Sequence, residues 1–165
     1  MVDFKDIYIK IFREVRDDEK ILRLLEIEPL KSDASPTDKN NFLKKLKTQI
    51  IDTANPGDML NDYSSKLCVH ESDGSYRSGV EDYGYISIDI HTTQDKDAID
   101  RRHLKIMQRL IEILDSNERV KAGKEKLNIG LEGLVYKSRP SQTNVSTGWE
   151  KHTVLFEYKF LTNIF

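Results

Sequence analysis

Asp89, His91 and His70 are the side chains whose types and spacing come nearest to an active site. Asp89 and His91 lie two residues apart in YISIDIHTT, so they share one face of a predicted strand, and His70 falls in a neighbouring strand-like run. A carboxylate beside an imidazole can orient a general base or bind a metal ion. No further carboxylate or cysteine is spaced to complete a set of three or four ligands. We therefore interpret them as ordinary polar residues on a solvated sheet face, and expect neither catalysis nor a tightly bound metal.

His103 lies in an apolar stripe, four residues after Ile99 and four before Met107. A histidine in that setting is typical of a core edge or an interface rather than of a ligand set. The residues that follow are typical of a solvated turn near a helix C-terminus: Glu118, Arg119, Lys121, Lys124 and Lys126. The sequence contains no phosphate-binding glycine loop, nucleophile elbow, HExxH or CxxC. These observations predict a binding or assembly domain that is not an enzyme and needs no cofactor.

The N-terminal region predicts helices. Apolar residues recur at helical spacing at Phe4, Ile7, Tyr8, Ile11, Phe12 and Val15. Asp17 or Asp18 can cap a second run that stops before Pro29, so residues 3–28 form either one bent helix or, as Asp18 favours, two. A further helix start is indicated by Ser35, Pro36 and Asp38, with a buried side made of Phe42, Leu43 and Leu46 and a strand at the following QII.

The remainder predicts strands around one long helix. Alternating residues predict strands at Lys66–Glu71, at Tyr83–Thr92, at 127–131 and from Trp149 onward. The helix is expected to begin at Asp95 or Asp97, to end near Leu114 and to pack on the sheet through Ile99, Ile106, Leu110 and Ile113. The predicted class is α+β: one mostly antiparallel sheet flanked by an N-terminal helical region and one long central helix, in a single domain over residues 1–165.

Two polar segments join predicted strands. Ser72–Asp82 is either a long loop or the tip of an extended hairpin, and Lys137–Thr147 is too polar to be core. We expect both to be mobile in an isolated subunit and to carry contact residues. The candidates are Tyr76 and Arg77 in the first segment and Arg139 and Gln142 in the second.

Composition narrows the choice of partners. The chain has 165 residues, with 26 basic and 28 acidic side chains and a net charge of −2. A near-neutral surface is a poor match for a polyanion, so we expect no sequence-specific nucleic-acid partner. The single cysteine, Cys68, excludes an internal disulfide. Neither a secretory signal nor an apolar run long enough to span a membrane is present, so we expect a soluble protein with no membrane partner.

The order of motifs resembles one family. ILRLLEI precedes a strand at KLCVHES, then YISIDIHTTQDKDAIDRRHLKIMQRLIEIL runs from strand to helix and contains Asp100-Arg101. The chain continues with GLVYKS, a polar loop and GWEKHTVLFEYKF, in which Gly148-Trp149 opens a strand. Over about residues 60–160 this is similar to the tail-completion (tail terminator) and neck head–tail joining proteins of long-tailed bacteriophages.

The resemblance implies a structural role. Such proteins form rings, commonly hexamers, that cap the tail tube and present a surface to the head connector. The implied partners are other copies of the chain, the tail tube protein and the neck proteins. The implied location is the tail or neck of the virion, after synthesis in the host bacterial cytoplasm. Trp149 joins the candidate interface residues on this basis.

Other functions remain open. The chain could be another neck component, such as a head–tail connector or stopper. It could instead be a small metal-dependent hydrolase that uses Asp89, His91 and His70, or a regulatory dimerisation module.

Overall fold

Three helices precede the first long strand in the computed structural model, which describes residues 3–77, 81–138, 143–146 and 148–161. The helices are α1 (Phe4–Arg16), α2 (Glu19–Leu24), α3 (Pro36–Gln49), α4 (Gln94–Asp100), α5 (Arg102–Leu114) and α6 (Ser116–Lys121). The strands are β1 (Ile50–Ile51), β2 (Lys66–Arg77), β3 (Glu81–Thr93), β4 (Val135–Ser138), β5 (Thr143–Ser146) and β6 (Trp149–Leu161). Among the described helices, none has the length and apolar character needed to cross a bilayer.

The N-terminal region forms two helices because Asp18 begins the second one. Its carboxylate accepts a hydrogen bond from the Ile21 backbone N–H at 2.9 Å and caps α2. The same carboxylate pairs with the guanidinium of Arg109 on α5, so the break between α1 and α2 is tied to a distant helix. The second helix ends earlier than predicted, at Leu24, and Glu26 then takes a left-handed backbone conformation (φ 61°).

The third helix begins as predicted. The Ser35 side chain accepts from the Asp38 backbone N–H at 3.1 Å, and the Asp38 carboxylate accepts from the Ser35 N–H at 3.2 Å, which completes a capping box. Phe42 and Leu46 are buried. Leu43, predicted to be buried beside them, is exposed. The predicted strand at QII is the two-residue β1.

Within the described residues the sheet has six strands in the order β1-β2-β3-β6-β4, with β5 also paired to β6. Every pairing is antiparallel except that of β1 with β2. The α+β class with one mostly antiparallel sheet is therefore confirmed. Apolar residues from the helices and from one face of the sheet form the core, including Ile7, Leu25, Leu46, Ile88, Leu110 and Phe156.

The described parts of the two polar segments are strand. Residues 72–77 and 81–82 extend β2 and β3 into a long hairpin, so the hairpin alternative is confirmed there. In the second segment, Thr143–Ser146 pairs with β6. Backbone hydrogen bonding to a neighbouring strand accounts for this strand structure despite the polar side chains. The mobility expected of the two segments in an isolated subunit stays a prediction.

The strand predicted at 127–131 is wrong. Leu127 and Ile129 are buried, but the chain turns here, and the Leu131 N–H donates to the Lys159 carbonyl at 2.8 Å. Gly130 has φ 59°, and a Cβ at this position would overlap the Lys159 carbonyl oxygen. Alternating apolar residues thus mark a buried turn, and Gly130 serves the close packing that a glycine permits.

The predicted long helix breaks at Arg101, which has a left-handed backbone (φ 54°). Ile106, Leu110 and Ile113 are buried as predicted, but Ile99 is 85% exposed, so its place in the packed stripe is wrong. The break turns α4 relative to α5, and the two helices therefore do not continue one stripe. The expected solvated turn after α5 is also wrong for Arg119, which is buried and donates to Glu14, Ile113 and Glu125.

Leu110 and Ile99 give a matched test of this packing. Leu110→Ala should lower the free energy of unfolding by about 2–5 kcal/mol, because a fully buried leucine is truncated. Ile99→Ala should change it by less than about 0.5 kcal/mol, because the side chain already contacts solvent. Urea denaturation of the two variants measures both values. Equal losses in the two variants would contradict the break at Arg101.

Candidate functional site

Two polar clusters lie on opposite faces of the same pair of strands. Residues paired across β3 and β6 share a face, so Asp89 with Thr153 occupies one face. Ile90 with His152 occupies the other face, which packs against the helices. We call the first group the Asp89 cluster (Asp89, His70, Thr153 and Lys151). The second is the paired-histidine cluster (Asp97, His103, Glu150 and His152).

The face that carries the Asp89 cluster is covered at one end by residues 52–65, here called the covering loop. The indole N–H of Trp149 donates to the Met59 carbonyl at 3.1 Å. Lys66 Nζ donates to the Asp58 carbonyl at 2.5 Å and lies 3.2 Å from a carboxylate oxygen of Asp62. Lys66 pairs with His91 in the sheet, so the loop lies over this end of the face. Asp89 and His91 are both buried, so the interpretation of a solvated face is wrong for these two residues.

Asp89 has several polar partners. Thr153 Oγ1 donates to its carboxylate at 2.5 Å, and His70 Nε2 lies 3.1 Å from the other oxygen. Lys151 Nζ approaches that second oxygen at 3.6 Å. The structure thus joins Asp89 to His70, as the sequence allowed. Such a group can hold a carboxylate in a buried position, because its negative charge is hydrogen-bonded and faces a cation.

His91 shares the face of Asp89 but does not bond to it. Neither ring nitrogen of His91 has a hydrogen-bond partner among the described residues. Burial lowers the pKa of His91 to about 4, so the imidazole is neutral near pH 7. Burial also raises the pKa of the nearby Cys68 thiol to about 12, which keeps it protonated and unreactive. The Asp89–His91 pair proposed from spacing is therefore not a hydrogen-bonded catalytic pair.

The paired-histidine cluster forms where the α4–α5 break meets the helix-facing side of β6. Asp97 belongs to α4 and His103 to the first turn of α5, while Glu150 and His152 alternate on β6. The His103 and His152 rings stack with their centroids 3.6 Å apart and their planes 5° from parallel. Both rings are buried.

Asp97 is the centre of this cluster. One oxygen accepts from the His103 backbone N–H at 2.8 Å and so caps α5. The other oxygen lies 2.7 Å from His103 Nδ1 and 3.5 Å from His152 Nε2. A Glu150 oxygen also lies 3.5 Å from His152 Nε2. The Asp97 carboxylate therefore accepts a hydrogen bond from the first turn of α5 and also contacts both imidazoles.

Burial acts on the pKa of both carboxylates in the same direction, but their neighbours shift the two pKa values apart. Burial would raise the pKa of Asp97, but the backbone and side chain of His103 hold it below its ordinary value. Burial and the neighbouring Asp97 raise the pKa of Glu150. The pKa values of the two carboxylates are thus shifted in opposite directions.

The sequence predicts a core-edge position for His103, but it does not reveal that Asp97, Glu150 and His152 are its neighbours. The available signals were Glu150 and His152 two residues apart on a strand, and Asp97 six residues before His103. Nothing in the spacing links positions 97–103 to positions 150–152, because the sheet and the helix break bring them together. His103 is buried, in agreement with the core-edge interpretation.

The candidate interface residues lie in different environments, and some of them lie outside the described residues. Trp149 is 3% exposed, and its indole N–H donates to the covering loop of the same chain. Its role at an interface stays a prediction. The backbones of Tyr76 and Arg77 pair with Tyr83 and Asp82, and their side chains lie outside the described part. Arg139 and Gln142 lie outside the described residues.

Comparison with known proteins gives the family. The YomW family matches residues 18–139, about three quarters of the sequence. The chain belongs to the YomW family. Its match runs from α2 through β4 and includes Asp97, His103 and the Asp89–His70 pair. No curated protein matches the chain.

The fold of this YomW-family chain is similar to that of a chain from the virion of a native gene transfer agent particle. The TM-score is 0.54 at 13% identity, and the match covers 94% of this chain and 95% of that chain. At this identity the likeness shows the fold, and it extends over nearly the full length of both chains.

The buried His91 predicts a pH-dependent stability for the YomW-family chain. Its pKa is about 4 when folded and 6.5 as the ordinary value, so the unfolded chain binds more protons between these pH values. The free energy of unfolding should fall as the pH falls from 6.5 to 4, with a contribution from His91 of about 3 kcal/mol.

His91→Leu isolates this contribution. The variant lacks the titrating imidazole, so this contribution to the pH dependence of its unfolding free energy is absent. The difference in unfolding free energy between the variant and the unmodified protein should therefore change across pH 4–6.5. Urea denaturation at a series of pH values measures that difference. A difference that stays constant over this range would show that His91 is not held neutral by the fold.

Proposed function

We propose that the protein is a structural component of a phage-like virion. More specifically, we propose a tail terminator, a ring that caps the tail tube and joins it to the head connector. The observation that carries the proposal is the fold likeness to a chain of a gene transfer agent virion, which spans nearly all of both chains. A match of this extent includes the arrangement of the helices around the sheet as well as the sheet itself.

The order of elements supports the same proposal. The motifs that resemble tail-completion proteins fall on β2, on β3 with α4 and α5, and on β4 and β6. These are the main strands of the sheet and the helix that packs on it. The resemblance thus concerns the framework of the domain rather than its loops.

The proposed role is structural rather than enzymatic. Asp89 is bonded to Thr153 and His70 inside the sheet face, and His91 is buried without a bond to it. Asp89 therefore links β2, β3 and β6 across this face. A hydrolase would need a nucleophile or activated water beside an accessible base.

A ring needs an exposed surface that matches a neighbouring copy. Leu60 and Tyr63 of the covering loop and Ile99 of α4 are large, exposed apolar side chains. The two segments are joined, because Lys96 Nζ on α4 donates to the Tyr63 carbonyl at 2.6 Å. We propose that these residues, here called the apolar patch, contact the next subunit. A contact between different surfaces of adjacent copies closes into a ring when the rotation between copies allows it.

Loss of the protein should reveal its place in the particle. In a virus that encodes the chain, deletion of its gene should give tails of uncontrolled length, because no ring stops growth of the tube. Electron microscopy of lysates measures the tail lengths. Tails of normal length that stay unjoined to heads would contradict a terminator and favour a connector or stopper. Normal infectious particles would contradict a virion role altogether.

The apolar patch should control assembly. The double variant Leu60→Asp/Ile99→Asp should form no ring, because it places charges in the contact between subunits, while its unfolding free energy stays nearly unchanged. Val120→Asp is the matched control, since Val120 is exposed on α6. Native mass spectrometry, with and without tail tubes, should show six copies for the unmodified protein and the control. Six copies in the double variant would contradict the proposed contact.

A further inference from the structure

We propose that Asp97, His103, Glu150 and His152 bind one divalent transition-metal ion, with Zn²⁺ as the best fit. The four side chains offer two imidazole nitrogens and two carboxylate oxygens. These four atoms lie within 4.8 Å of one another. Imidazole with carboxylate suits zinc and its neighbours in the first transition row, whereas calcium and magnesium prefer oxygen ligands alone.

The distances between donor atoms fit a small coordination sphere. Ligands of a tetrahedral zinc ion at its usual bond lengths stand about 3.4 Å apart. His152 Nε2 lies 3.5 Å from the Asp97 oxygen and 3.5 Å from the Glu150 oxygen. His103 Nδ1 lies 2.7 Å from the same Asp97 oxygen, so this pair must separate slightly around an ion.

Charge balance favours a dication at this place. Asp97 is buried and Glu150 is half-buried beside it, so two carboxylates share a region that is partly removed from water. Burying two negative charges together is costly unless a positive charge compensates them. Two carboxylates, two neutral imidazoles and one divalent cation form a neutral set.

The surroundings of Asp97 resemble the support that metal ligands receive. Its second oxygen is held by the His103 backbone N–H at 2.8 Å, which directs the first oxygen towards the two imidazoles. Such outer hydrogen bonds orient ligands in established metal sites. A cleft of about 350 Å³, lined by Asp97, His103 and Glu150 together with Gln94, Ala98 and Arg101, leads to the cluster from solvent. A cation thus has a path of entry.

The stacked arrangement of the His103 and His152 rings must change when an ion binds. The nitrogen lone pairs of two parallel imidazoles run side by side and do not converge on one point. Binding therefore requires one ring to turn about its Cβ–Cγ bond. The ion would then link the α4–α5 break to β6 directly. This site is independent of the proposed virion role and involves no catalysis.

Zinc binding can be measured on the whole chain after treatment with a chelator. Equilibrium dialysis against Zn²⁺ should give one ion per chain. Asp97→Asn and His152→Leu should each weaken the affinity by tenfold or more, because each removes one of four ligands. Asp89→Asn and His91→Leu are matched controls: the same buried residue types on the opposite face of the same sheet. Both controls should bind like the unmodified protein.

Cobalt gives a second measurement that needs no variant. Co²⁺ in the unmodified chain should show the intense visible absorption of a four-coordinate site, and added Zn²⁺ should abolish it. Absence of saturable Zn²⁺ binding would overturn the proposal, as would undiminished binding in folded Asp97→Asn and His152→Leu. If those variants do not fold, a Co²⁺ spectrum typical of six-coordinate, water-bound ion would overturn it.

Discussion

The long antiparallel pairing of β3 with β6 is the constraint on which the rest of the structure depends. It runs without interruption from Glu81–Leu161 to Thr93–Trp149. Because side chains alternate along both strands, this single register assigns every polar residue of the two strands to a face. The Asp89 cluster and the paired-histidine cluster are two results of the same alignment, and each is completed by elements that come from elsewhere in the chain.

Local sequence patterns were sufficient to predict the elements whose structure is decided by residues close to one another in the chain. Helical spacing predicted α1, the Ser35–Asp38 capping box predicted the start of α3, and alternation predicted β3 and β6. The class of the fold followed from these elements. The same patterns failed at Leu127 and Ile129, since a buried turn and a buried strand both show alternating apolar residues.

The clusters could not be predicted in the same way, because their members meet through tertiary structure. Asp89 and His91 share a face as predicted, but their spacing along the strand does not show that both side chains are buried. Asp97 and His103 meet only because the helix breaks at Arg101, a residue with no special tendency towards a left-handed backbone. A side chain that caps a helix across six residues leaves no local pattern that would reveal it.

The alternation of β6 also limits how this protein can vary. Glu150 and His152 face the helices, whereas Trp149, Lys151 and Thr153 lie on the opposite face with Asp89. Insertion or deletion of one residue in this stretch would exchange the two sets and disrupt both clusters together. Homologous chains should therefore differ here by substitution and keep the length of the strand constant. Insertions and deletions should be confined to the loops between helices and strands. A change in length there does not move side chains from one face of the sheet to the other.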